Sequence, residues 1–202
     1  MIQSIDDKII TKISKCGRGT IFSPTDFTTL GEPKSVLKAL ERLTNSGKII
    51  RIARGIYCFP KIDKTLGLGV IYPSFEEIAQ SIAKRDKARI VPTGLYALNR
   101  LGLSTQVPMN IIYLTDGSAR KIKINNDRSI QFKHTAPKNL AFRNELAMLI
   151  VFALKELSRE RVTKEHLEKI KNILQKEPKE KILVDAKLMP AWIRSIIIKA
   201  YE

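Results

Sequence analysis

An α+β fold is predicted by three features of this 202-residue chain. Apolar residues recur at helical spacing near the N-terminus, two β-rich runs flank a glycine turn at 54–55, and a block of strands further on gives way to a helical tail. The order over residues 1–63 is helix, strand, helix, turn, helix, hairpin, which is that of a winged helix-turn-helix. Residues 64–202 read as a C-terminal α+β domain with a small antiparallel sheet and a helical tail.

Ile5, Ile9 and Ile13, with Ile2 one turn earlier, form the stripe of an amphipathic helix over about 4–15, and CGRG stops it. TIF suits a short strand. In SPTDF, Ser23 is an N-cap candidate and Pro24 takes the first position of a short second helix. Pro33 opens a third helix running to about Asn45, with Gly47 as its stop. At about 100° per residue, Val36, Leu37, Leu40 and Leu43 fall on its apolar face, and Lys34, Ser35, Lys38, Glu41, Arg42 and Asn45 on the other. KIIRI and IYCFP then form a hairpin around Ala53, Arg54 and Gly55.

KIDKTLGLGVIYPS, with two glycines and a proline, marks the domain boundary. SFEEIAQSIAKR is a helix with a capping box from Ser74 to Glu77, and TGLYALNRLG a shorter helix. MNIIYL, RKIKI and SIQFKH read as strands, joined by the hairpin-like turns TDGSA and NNDR. In RKIKI, Ile122 and Ile124 alternate with Lys121 and Lys123, so one face is apolar and the other basic. From Asn144 onward the chain is helical: ELAMLIVFALKEL reads as buried, TKEHLEKIKNILQK as amphipathic, and PAWIRSIIIKAYE closes the chain.

Charge points to the partner class. The chain carries 36 Lys and Arg against 20 Asp and Glu, a formal charge of +16, and such a field favours polyanions because each neutralised phosphate releases counterions. Residues 1–63 hold 11 Lys and Arg against 6 Asp and Glu, and residues 64–202 hold 25 against 14. No apolar run has the length of a membrane span and the first residues lack a signal peptide's apolar core, so a cytoplasmic protein is expected. Cys16 and Cys58 stand in no metal or disulfide pattern and read as free buried thiols.

Lysine and arginine on the third helix can reach phosphates or guanine edges, and serine and asparagine can reach base edges, although the same residues also make an ordinary solvated face. Arg54 at the hairpin tip and Arg51 beside it are placed to reach a phosphate backbone or a narrow minor groove. Tyr57 is expected in the core. No catalytic constellation, metal site or cofactor motif stands out, so no enzyme activity and no cofactor are expected. His134 and His166 read as solvent-facing. Glu177, Lys179, Asp185 and Lys187 have the spacing of some metal-dependent nucleases, but such patterns are common in Lys/Glu-rich chains.

The segments TDF...SVLKALERLTNSGKIIRIARGIYCFPK and IVPTGLYALNRLGLSTQVPMNIIYLTDGSARKIKI resemble the AbiEi-type antitoxins of bacterial type IV toxin-antitoxin (abortive infection) systems, over most of residues 1–142. The resemblance implies a repressor of its own operon that binds inverted repeats in double-stranded operator DNA, with possible self-association there. It also implies a functional partnership with a nucleotidyltransferase-like toxin, with or without direct contact. By position it gives the recognition role to Lys34, Ser35, Lys38 and Arg42, the wing role to Arg51 and Arg54, and a second basic set to Lys121, Lys123 and Lys133. The alternative is an RNA- or ribosome-binding module that counteracts the toxin at its RNA target.

Overall fold

The computed structural model describes residues 3–63, 65–124 and 128–202. The chain is a mixed α+β structure that divides into two compact units: Met1–Ile82 with Lys123–Asn126, and Ala83–Ile122 with Asp127–Glu202.

In the first unit, α1 (Ile5–Cys16) starts at Ser4, whose hydroxyl accepts from the Asp7 amide, and buries Ile9 and Ile13. Strand β1 (Ile21–Phe22) leads into a 3-10 turn at Pro24–Phe27, closed at Ser23 by the Asp26 carboxylate, which accepts from the Ser23 amide at 2.7 Å. Helix α2 (Pro33–Asn45) follows, with proline at its first position, where the absent N–H leaves no bond unmade. Strands β2 (Ile50–Ala53) and β3 (Ile56–Cys58) make an antiparallel hairpin whose two-residue turn is Arg54-Gly55. Gly55 has φ 72°, a left-handed conformation that glycine adopts without Cβ strain. Strand β1 pairs with β3, giving the order β1-β3-β2.

These elements close over Ile9, Ile13, Phe22, Phe27, Val36, Ala39, Leu40, Leu43, Ile49 and Tyr57. Phe22 meets Phe27 edge-on at 5.4 Å and stacks on Tyr57 at 6.1 Å. One expectation fails here: Leu37 is not core but 49% exposed, and Ala39 is buried in its stead. Leu37 lies about 110° from the centre of the stripe formed by Val36, Ala39, Leu40 and Leu43, whereas small Ala39 is nearer to it. Cys16 is likewise exposed, while Cys58 is buried, and burial pushes its thiol up to about 11.

The segment after residue 60, expected to hold the domain boundary, forms a strand pair. β4 (Lys61–Asp63) pairs antiparallel with β5 (Gly69–Ile71), and the division between units falls inside α3 (Phe75–Arg85) rather than after residue 63. Helix α3 begins with the Ser74 amide donating to Glu77 at 2.7 Å, the expected capping box.

The second unit centres on a four-stranded sheet in the order β6-β7-β9-β8, with β6 (Ile90–Thr93), β7 (Asn110–Thr115), β8 (Arg120–Ile124) and β9 (Arg128–His134). Between β6 and β7 runs α4 (Leu95–Arg100). The sheet is mixed, since β6 and β7 are antiparallel but β7 and β9 are parallel. TDGSA therefore does not close a hairpin between β7 and β8. Its Asp116 instead accepts from the Arg89 amide at 2.7 Å and from Arg89 Nε at 2.8 Å, which ties the turn to the start of β6. Three residues of the second expected turn, Asn125, Asn126 and Asp127, lie outside the described residues.

The tail packs as α5 (Glu145–Leu157), α6 (Lys164–Leu174), α7 (Lys179–Leu183) and α8 (Ala191–Ala200). Helix α5 is buried from Ala147 to Leu154, which explains its lack of a polar face. It forms the middle of an apolar core with Ile170, Leu174, Ile182, Ile193 and Ile197. Among the described residues, no helix is long and apolar enough to cross a membrane.

Candidate nucleic-acid interface

Helix α2 turns its charged row outward because the opposite side is closed by the core. Lys34 and Lys38, one turn apart, are exposed with Glu41 and Asn45, and Ser35 is half-buried. Leu37 adds an apolar side chain at the margin of this row. Lys34 and Lys38 form no ion pair with a described residue.

Arg42 is different. It lies at the border of the row facing α1, where Nε donates to Asp6 Oδ2 at 3.0 Å and Nη2 to Asp6 Oδ1 at 2.6 Å. This bidentate pair ties α2 to α1, while the Arg42 side chain stays 60% exposed. Sequence reading missed this because Asp6 and Arg42 lie 36 positions apart.

The pair has a pH signature. Hydrogen bonds from Arg42 hold the Asp6 carboxyl below the ordinary carboxylate range. A folded value below the unfolded one, near ~3.9, means the contribution to stability is complete above that value and is lost as pH falls through the lower, folded one. Asp6→Asn is expected to lower stability at neutral pH and to match wild type in strong acid. Denaturant titrations across pH measure this; a deficit independent of pH would contradict the role given to the carboxylate.

On the hairpin, Arg51 and Arg54 are both exposed and, like the lysines of α2, form no ion pair with a described residue. Arg54 occupies the turn itself; Arg51 precedes a register shift that separates it from Ala53. Tyr57 is 6% exposed, which removes it from any contact surface.

The other expected cations are on the four-stranded sheet. Lys121 and Lys123 on β8 are exposed, alternating with half-buried Ile122 and buried Ile124, and Lys133 on β9 is exposed. Arg120 and Arg89, by contrast, are spent internally. Arg120 pairs with Asp86 and covers the Phe132 ring at 5.5 Å, with burial lowering its pKa, and Arg89 holds Asp116.

The residues with nuclease-like spacing do not leave Asp185 free. It is 3% exposed, and its carboxylate accepts from the Arg143 amide at 2.9 Å and the Asn144 amide at 2.8 Å, just ahead of α5. Among the described residues no group of three or more His, Cys, Asp or Glu could hold a metal ion. His134 is exposed; His166 is half-buried and caps α6, its Nδ1 accepting from the Thr163 amide at 3.2 Å.

A family model described as "Family of unknown function (DUF6088)" matches residues 8–182. The chain belongs to this family. The DUF6088 match runs through both compact units. None of the curated proteins searched matches the sequence. Among solved structures, the DUF6088 chain is similar to the RV2827C protein from Mycobacterium tuberculosis, with a TM-score of 0.53 at 14% identity over 99% of this chain and 78% of that one. At that identity the likeness is one of fold.

Proposed function

We propose that this chain is a sequence-specific DNA-binding regulator whose N-terminal unit works as a winged helix-turn-helix. The supporting observation is the state of its exposed cations: Lys34 and Lys38 on α2, and Arg51 and Arg54 on the adjoining hairpin, carry no ion pair with a described residue, while neighbouring Arg42 does. Unpaired cations on a helix and a hairpin suit the major-groove and backbone contacts of a winged helix on duplex DNA. In this reading α2 is the recognition helix, with Lys34, Ser35 and Lys38 toward the bases, and Arg51 and Arg54 hold phosphates. Lys121, Lys123 and Lys133 supply a second set of phosphate contacts.

The AbiEi-type resemblance extends the proposal to a repressor of its own operon, acting as the antitoxin of a type IV system beside a nucleotidyltransferase-like toxin. No catalytic role is assigned to any residue. A gel shift on the duplex upstream of the gene tests the binding half, with excess random DNA and structured RNA as competitors. Retention against random DNA is expected. Displacement by RNA at lower concentration than by DNA would transfer the proposal to an RNA- or ribosome-binding module.

A further inference from the structure

The hairpin of β4 and β5 carries an apolar surface that the DNA-binding reading does not use. Ile62, Leu66, Leu68, Val70, Ile71 and Tyr72 are 47%, 77%, 67%, 41%, 43% and 57% exposed. Ile62 and Val70 are directly opposed across the two strands and so share a face. Leu68 and Tyr72 follow Val70 at period two onto that face, whereas Ile71, opposite Lys61, lies on the other; with ordinary side-chain areas Ile62, Leu68, Val70 and Tyr72 come to on the order of 400 Å² of apolar surface. That is within the ~300–600 Å² of the largest patch on a typical monomer, and about half of the ~800 Å² per partner of a standard interface.

We propose that this hairpin is the surface through which two copies of the chain pair. Area is the first argument, since this face alone supplies about half of one side of a standard interface and the strand edge beside it adds further contact. Charge is the second. Residues 65–75, TLGLGVIYPSF, contain no Asp, Glu, Lys or Arg, and the hairpin's own charged residues, Lys61, Asp63 and Lys64, sum to +1 in a chain with a formal charge of +16. Two copies of so basic a protein repel across most surfaces, and an apolar hairpin of so small a net charge lets them meet with little like-charge opposition. The same low charge disfavours nucleic acid, which is bound through cations. Strand geometry adds a third argument: among the described residues β5 pairs with β4 alone, which leaves its outer edge open there. Two β5 edges related by a two-fold axis extend a pair of two-stranded sheets into one of four, an isologous contact.

The pairing is a property of the chain without DNA, so its test is independent of the DNA-binding reading. Sedimentation velocity of the full chain, free of nucleic acid, is expected to show mass rising with concentration from 22.9 kDa toward twice that value. Leu68→Asp with Val70→Asp is expected to weaken pairing by at least about tenfold, as loss of central interface anchors does. Leu66→Ser with Leu68→Ser, outside the strands, gives the same direction without touching the ladder. Circular dichroism checks that each variant is folded. A wild-type chain that stays at 22.9 kDa at every concentration, or a dimer unaffected by folded variants of both kinds, overturns the proposal.

Discussion

Leu40→Ala is expected to lower the unfolding free energy by about 2–5 kcal/mol, a large fraction of the ~5–15 kcal/mol that holds a domain together. Leu40 is 0% exposed and lies in the middle of the apolar cluster joining α1, α2 and the β1-β3-β2 sheet. Shortening it strips apolar packing and leaves a cavity that two helices and a sheet cannot easily close. The informative comparison is Leu37→Ala on the same helix. Leu37 is 49% exposed, so its truncation is expected to stay within about 0.5 kcal/mol of wild type. Denaturant melts of the two variants measure the contrast; equal losses would mean the helix is rotated from the orientation described.

The second large effect is expected at Asp185. Its carboxylate, 3% exposed, is the acceptor for the amides of Arg143 and Asn144, and Asn144 in turn caps α5 by accepting from the Ala147 amide at 2.8 Å. Asp185→Ala removes the acceptor of two part-buried backbone N–H donors at the entry to the most buried helix of the second unit. A buried unsatisfied donor costs about 1–3 kcal/mol; with both amides part-buried and open to water, the expected loss is toward the lower end, roughly 2–3 kcal/mol. Asp185→Asn keeps one oxygen but turns an amide N–H toward donors, so an intermediate loss is expected. Thermal unfolding checks the order Ala, Asn, wild type. A folded Asp185→Ala variant as stable as wild type would show that the carboxylate has another purpose.

Local patterning made much of the fold legible. The limits of α2, the capping box at Ser74, the N-cap at Ser23 and buried α5 are all written in short windows where proline, capping residues and apolar spacing agree. What was hidden depends on distant partners or on glycines read as breaks. In LGLGVIY the glycines alternate with Leu66, Leu68 and Val70, a period of two that ends in β5, yet the same glycines read as a domain boundary. Strand β6 was obscured by Pro92, which is tolerated because β6 lies at the edge of its sheet. The parallel pairing of β7 with β9 cannot be seen in either strand alone, because the turn after β7 reads as a hairpin until Arg89 occupies Asp116. Among the candidate site residues, exposure of the lysines and of the hairpin arginines followed from periodicity and turn position. The engagement of Arg42 by Asp6 and of Asp185 by two amides did not, since neither interaction is local.

The claim that Arg51 and Arg54 bind a duplex backbone is tested most directly by the slope of log affinity against log salt, for wild type and for Arg51→Ala with Arg54→Ala. If each arginine neutralises one phosphate, the double variant binds every duplex more weakly and its slope falls in magnitude by about 0.9 for each phosphate no longer neutralised, about 1.8 for both. A variant that stays folded and keeps the wild-type slope and affinity would contradict the account and remove the hairpin from the interface.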